Sequence, residues 1–246
     1  LIWSEGALSP TLTIPTLSKA YGIFTSSLGD VFIDYGNVSG TVNKWTSSSI
    51  NSTVVMSIDN ICFGMFIDIY NYLYCSIGSS HKVVKKFLND PSTKSIIVAG
   101  TGTSGSTSNE LNQPRRIFVT VNLDLYVADS GNNRIQCFRS GLLNATTIPI
   151  SGGSSNITLQ NPTAVVLDAD ENLFITEYGH HRIIRWDGSN AQCLFGCSGS
   201  SGAAADQLTS PRALNFDSYG NLYVVDTGNS RIQKFFLISN SCSEYL

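Results

Sequence analysis

Three stretches of this chain are copies of one another. Leu208–Phe235 reads LTSPRALNFDSYGNLYVVDTGNSRIQKF, Leu111–Phe138 reads LNQPRRIFVTVNLDLYVADSGNNRIQCF, and Leu159–Trp186 reads LQNPTAVVLDADENLFITEYGHHRIIRW. The acid that ends the central run steps from Asp129 to Glu177 to Asp226, intervals of 48 and 49 residues. That period is far too long for one helix or strand. It marks a repeat architecture in which each unit buries its apolar faces against the next. Upstream the frame survives in weaker form, with Ile77 standing 52 residues before Asp129, where the later copies carry an acid.

Each copy reads as short β-runs separated by Gly, Asn and Asp turns. Five units are predicted, at 20–58, 63–99, 114–150, 162–195 and 211–237. The first has expected strands at Tyr21–Phe24, Val31–Tyr35, around Lys44-Trp45 and at Val54–Ile58, with two extra residues in the bend at 36–40. The second has them at Phe63–Ile69, Tyr72–Ser76, a run ending at Val84, and Ser95–Ala99. The third is expected at Ile117–Thr120, Leu123–Ala128, Arg134–Phe138 and Thr147–Ile150, and the fourth at Ala164–Leu167, Leu173–Thr176, Arg182–Trp186 and Gln192–Phe195. The fifth offers only Ala213–Phe216, Leu222–Val225 and Arg231–Phe236. A propeller removes exposed sheet edges by closing radially. The expected fold class is therefore all-β, a single propeller domain over 1–246 with about five blades of four antiparallel strands. The N-terminal strand near 11–14 (Thr11 to Ile14) would close the last blade.

The central strands carry apolar residues on both sides, Leu125 and Val127 on one and Tyr126 and Ala128 on the other. That is the pattern of sheets stacked face to face. Asp168, Asn172, Asp217 and Asn221 sit in turns where their side chains can bond nearby backbone, with Gly220 available for positive φ. Gly131, Gly179 and Gly228 are expected to serve positive φ in the next turn. Asp129 and Arg134, Glu177 and Arg182, and Asp226 and Arg231 flank a four-residue connection. They predict structural carboxylate–guanidinium pairs at the turns. The alternative is a set of charges around one end of the channel that touches a ligand. Threefold repetition favours the structural reading, because a catalytic pair is needed once.

Charged residues make up 13% of the chain, against about 25% in an ordinary globular protein. Fifteen Lys plus Arg against 18 Asp plus Glu give a net charge of -3, so no nucleic acid partner is expected. No apolar run approaches the roughly 20 residues of a membrane span, and no membrane insertion is expected. The chain does not begin with Met, and Leu1–Ser4 lacks the features of a signal peptide, so the sequence reads as part of a longer chain. Cysteines occur at 62, 75, 137, 193, 197 and 242, and glycosylation sequons at Asn37, Asn51, Asn144 and Asn156. Together they point to an extracellular or cell-surface glycoprotein, with a cytoplasmic home as the alternative. Cys193 and Cys197 could close a small loop or pair elsewhere. No His accompanies them at a zinc-ligand spacing, so no metal is expected.

His180 and His181 fall on the turn that reads Asn132-Asn133 and Asn229-Ser230 in the neighbouring copies, and His81 holds the equivalent place in the second unit. They read as turn residues, and no catalytic residue or cofactor is expected. Gly100–Asn112 is glycine-rich but lacks the Lys and following helix of a phosphate-binding loop. In a four-stranded blade, the connection between strands two and three emerges on the same face as the crossing to the next blade. Lys19, Arg115, Arg116 and Arg212 fall on that face, with the loops Gly100–Asn112, Ser151–Gln160 and Cys197–Thr209. This loop-rich face is the expected binding region for a protein, peptide or glycan. The competing reading of its basic residues is surface solvation and pairing with nearby acids.

With those residues in view, the third to fifth units resemble NHL repeats. Asn221-Leu222-Tyr223-Val224-Val225-Asp226 with Asn229-Ser230-Arg231-Ile232-Gln233-Lys234-Phe235 carries the resemblance, as does Leu125-Tyr126-Val127-Ala128-Asp129 with Asn132-Asn133-Arg134-Ile135-Gln136-Cys137-Phe138. It is specific over 111–235 and partial before that, where Ile77 replaces the acid and Lys82 the Arg. It implies an NHL-type β-propeller. Because that family usually has six blades, a six-bladed propeller, truncated or with one degenerate blade, is the alternative to five. Functionally it implies an interaction module, with a metal-dependent amidating-lyase-like enzyme as one alternative and an RNA-binding propeller as another, disfavoured by charge. The lyase's His-rich metal site does not map onto His81, His180 and His181. Transfer of function from fold is analogy.

Overall fold

The computed structural model describes residues 20–34, 36, 40–46, 49, 51–150 and 157–236. Lys19, Asn37, Asn156, Cys242 and the expected closing strand at 11–14 lie outside the described residues, as do Tyr35 and the first part of the loop Ser151–Gln160. The chain divides into two compact units, Leu1–Ile148 and Pro149–Leu246.

The first unit holds three sheets. β1 (Ile23–Thr25), β2 (Val31–Asp34), β3 (Thr41–Trp45) and β4 (Thr53–Ser57) form sheet one. Sheet two is β5 (Cys62–Ile67), β6 (Tyr72–Ile77), β7 (Lys82–Phe87) and β8 (Ile96–Ala99). Sheet three is β9 (Pro114–Val119), β10 (Leu125–Asp129), β11 (Arg134–Phe138) and β12 (Thr146–Thr147). The second unit holds sheet four, β13 (Pro162–Leu167), β14 (Leu173–Glu177), β15 (Arg182–Trp186) and β16 (Ala191–Phe195). Sheet five is β17 (Pro211–Phe216), β18 (Leu222–Asp226) and β19 (Arg231–Phe235), three strands among the described residues. Every pairing is antiparallel between neighbours in sequence. The five-sheet, all-β expectation matches this architecture.

Among the second strands, β6 and β14 are the most buried of their sheets, whereas β18 keeps Tyr223 and Val225 exposed. β6 shows how period-two alternation serves both neighbours. Leu73, Cys75 and Ile77 join Phe32, Val42, Met56 and Met65 in the core between sheets one and two. Tyr74, between them in sequence, belongs instead to the core formed with Leu111, Ile117, Val127 and Phe138 of sheet three. Burying one such side chain stabilises by roughly 1.5–3 kcal/mol. The outer strands contribute less: both residues of β12 are exposed, as are Ile96 and Ile97 of β8.

Several strand boundaries differ from expectation. The leading strands start at Pro114, Pro162 and Pro211 instead of Ile117, Ala164 and Ala213. A register shift follows each proline, so the strand opens with a bulge. Proline fits that first position because it has no N–H to give the ladder. The outer strand expected at Thr147–Ile150 is only Thr146–Thr147, and the first strand is Ile23–Thr25 instead of Tyr21–Phe24. Disulfides join Cys62 to Cys75 across β5 and β6, and Cys193 to Cys197, while Cys137 is a buried thiol.

Candidate functional site

The turn between the second and third strands recurs in nearly identical form. A short 3-10 segment at Ser130–Asn132 or Thr227–Asn229 ends in a residue with left-handed backbone, Asn133 at φ 54° or Ser230 at φ 52°. Positive φ therefore falls on the residue before the Arg, and Gly131, Gly179 and Gly228 do not adopt it. What requires glycine there is close approach. A Cβ on Gly131 would lie 2.6 Å from Asn112 Cγ, and the Gly131 N–H donates to Asn112 O at 2.8 Å.

That contact brings the turn against the chain arriving from the preceding sheet. Asp129 is buried at the end of β10. Its Oδ2 accepts from Arg134 Nε at 2.7 Å and Asn132 Nδ2 at 2.8 Å, and its Oδ1 accepts from the Asn112 N–H at 2.7 Å. Arg134 then donates through Nη1 to Ser106 O at 2.7 Å and through Nη2 to Thr107 O and Glu110 O, each at 3.0 Å. Asp226 and Arg231 repeat the arrangement on the incoming loop of sheet five. Thr209 N–H donates to Asp226 Oδ1 at 2.6 Å, and Arg231 reaches Ala203 O, Ala204 O and Gln207 O at 2.7 to 2.9 Å. In sheet four, Glu177 accepts from Arg182 Nε and the Gln160 N–H, both at 2.6 Å. Each carboxylate–guanidinium pair thus clasps an incoming loop as well as its own turn.

The clasp explains why polar, glycine-rich loops hold a definite shape. Leu111 and Leu208 anchor the loop ends and are fully buried, whereas Thr101, Thr103, Ser106 and Thr107 are exposed. Burial pushes the Asp226 carboxyl up, but its bonds to Asn229, Thr209 and Arg231 outweigh that and hold it below the usual carboxylate range. Asn132 and Asn229 are clasp members that sequence reasoning did not assign. The recurrence of Asp, then Asn three and Arg five residues later, was the signal available.

The histidines also face neighbouring segments. His81 Nδ1 accepts from the Gln113 N–H at 3.1 Å, and His181 Nδ1 from the Ser210 N–H at 3.0 Å. His180 Nδ1 lies 2.5 Å from Glu177 Oε1. Each is committed to a separate local contact, and among the described residues no three His, Cys, Asp or Glu side chains are grouped to hold a metal ion. The chain's histidines do not fit a His-rich metal centre.

Arg115 and Arg116 lie side by side on β9, and Arg212 lies on β17 in the other unit. The Arg115 guanidinium stacks 4.2 Å from the Phe63 ring centroid of sheet two, and that of Arg212 lies 5.2 Å from the ring centroid of Tyr178, in the turn after β14. Asn51 and Asn144 are exposed, as a glycan acceptor must be. Away from the clasped loops, a cleft of about 640 Å³ opens between sheets one and two, lined by Phe24, Leu28, Ile67 and the Lys44–Asp30 ion pair.

Comparison with known proteins supplies a family signature and a fold. Residues 111–138 match the NHL repeat family model. No curated protein sequence matches the chain. A chain in the crystal structure of a nidogen/laminin complex is 15% identical with a TM-score of 0.67, the match covering 87% of this chain and 74% of that one. Streptogramin B lyase is 14% identical with a TM-score of 0.62, covering 93% and 72% respectively. Selenomethionine-substituted virginiamycin B lyase from Staphylococcus aureus is 15% identical with a TM-score of 0.59, covering 92% and 72%. At such identities the likeness is one of fold, and it is shared by a chain from a protein complex and by enzymes. Residues 111–138 thus carry an NHL repeat, and the chain's five small antiparallel sheets are an all-β fold consistent with an NHL-type β-propeller.

Proposed function

We propose that the chain is a non-catalytic binding module that takes a protein, peptide or glycan on the loop-bearing ends of its sheets, and that it works in an extracellular or cell-surface setting. The observation carrying this reading is the clasp. Asp129 with Arg134, and Asp226 with Arg231, tie the backbone of 105–112 and 202–209, and in the first of these loops Ser106, Thr107 and Ser108 keep their hydroxyl-bearing side chains exposed. A polar loop ordered in advance loses little conformational freedom on binding, which favours affinity. Two disulfides and exposed sequons at Asn51 and Asn144 support the compartment. The fold shared with a chain of the nidogen/laminin complex supports a protein partner. Likeness to two lyases favours a lyase as the second reading.

The test uses the chain made in a secretory host, a panel of purified extracellular proteins, and a glycan array. A variant carrying Thr101→Ala, Thr103→Ala and Thr107→Ala serves as control. Saturable binding to one member, weakened at least tenfold in the variant, is the expected result. Turnover of a bound compound without a stable complex would replace the binding reading by the lyase one.

A further inference from the structure

The repeats provide an internal control for every position, and one residue breaks the pattern. Two places after the residue that opens each leading strand stand Gly64, Ala164 and Ala213, following Cys62, Pro162 and Pro211. Gly22 holds the equivalent place in sheet one, where its carbonyl accepts the Asp34 N–H at 3.1 Å. In sheet three that place is Arg116.

Small residues have a steric reason to be there. A Cβ on Gly22 would come 2.6 Å from Cys62 O, and one on Gly64 2.7 Å from Arg116 Cα. In the first unit this place is where one leading strand runs against the next. Arg116 instead puts a long cation at this crowded place. It is partly buried, desolvation holds its guanidinium below the usual arginine range, and among the described residues no hydrogen bond, ion pair or ring contact engages it. A desolvated cation without a counter-charge is destabilising, so the fold gains nothing from it. The arginines that follow the repeat turns, Arg134, Arg182 and Arg231, are by contrast each held by a buried carboxylate.

We propose that Arg116 is the anchor for a carboxylate of a peptide ligand, an acidic side chain next to an apolar one. The guanidinium fork matches a carboxylate in two parallel hydrogen bonds. Two residues further along β9, Phe118 meets Phe66 of β5 edge-on at 5.1 Å, and both rings are partly exposed. They offer an apolar seat beside the charge. Among the described residues the Arg116 guanidinium has no counter-charge, and in a chain of net charge -3 such a lone cation suits one carboxylate better than a polyanion. This inference rests on the binding-module reading and narrows its ligand class.

Arg116→Ala restores the residue found in sheets four and five, which makes the test independent of any ligand. The variant is expected to melt about 2–4 °C higher than the native chain. In NMR titrations the native chain is expected to bind a capped aspartyl-phenylalanine dipeptide saturably. The asparaginyl counterpart and inorganic phosphate are expected to bind at least tenfold more weakly. Arg116→Ala is expected to lose the preference, and Arg116→Lys to retain part of it. A lower melting temperature for Arg116→Ala, or equal binding of the acidic and amide dipeptides, overturns the proposal. Stronger binding of phosphate than of the acidic dipeptide overturns the carboxylate assignment. Should the loop variant lose a protein or glycan that Arg116→Ala still holds, the inference falls and the binding module stands. Should the dipeptide bind through Arg116 and be consumed, the module reading falls and the anchor stands.

Discussion

Sheets two and three build the same turn with opposite chemistry at its root. In sheet three the strand ends in Asp129, fully buried and paired with Arg134; in sheet two it ends in Ile77, equally buried within an apolar cluster. Both then form a 3-10 segment and a left-handed residue, Asn133 at φ 54° and His81 at φ 48°. The ion pair is therefore not what bends the chain. The difference lies in what arrives. Residues 100–113 cross to sheet three, but only 58–61 cross to sheet two. A long polar loop needs a clasp, and a short connection does not. Lys82, in the place of Arg134, still reaches the incoming segment, where its Nζ lies 2.6 Å from Asp59 Oδ2.

The sharpest way to break this comparison is Asp129→Ala. Arg134, Asn132 and the Asn112 N–H would lose their shared acceptor, at an expected cost of about 3–5 kcal/mol in denaturant unfolding. A loss under about 1 kcal/mol would show that the loop holds itself. Next in size is the double substitution Ile77→Asp with Lys82→Arg. It installs the pair where no long loop supplies backbone partners and is expected to destabilise by about 1–3 kcal/mol. A gain in stability would return the pair to the turn.

The smallest effect is a pH dependence of opposite sign in two places. The Asp226 carboxyl sits below its ordinary value, so its contribution is present above the unfolded pKa of about 3.9 and is lost as pH falls through the lower folded value. Asp34, which accepts from Gly36 and Cys62 N–H groups, is pushed up by burial against those bonds. Its contribution is largest at acid pH and declines as pH rises through the raised folded value. Protection of the amides in 202–209 is expected to fall below about pH 4, while the strand amides of β2, which carries Asp34 and opens only with its sheet, become better protected. Parallel behaviour of the two segments would refute the assignment.

Much of the fold was legible because repetition multiplies weak signals. Three copies placed strands at Arg134–Phe138 and Arg182–Trp186 to the residue, where β-branched and aromatic side chains alternate with polar ones. Bulges were not legible, since Pro114, Pro162 and Pro211 look like turn residues until their register with Asp129, Glu177 and Asp226 is known. Gly220 has the positive φ its turn predicts, but Gly131, Gly179 and Gly228 answer to close approach instead. Local sequence states what a backbone can do, and only the neighbouring segment states what it has room for.

The same boundary runs through the candidate site. The sequence by itself determined the repeat, the alternation that buries both faces of the central strands, and the five-residue spacing of acid and arginine, because each follows from residue order and local geometry. Tertiary structure alone decided that these pairs clasp incoming loops, that Cys62 meets Cys75, and that Arg116 stands in the crowded place held by Gly22 and Gly64 in sheets one and two, with no counter-charge among the described residues. Those facts depend on which segments are brought within a few ångströms of one another, a property of sheet stacking that no single repeat contains.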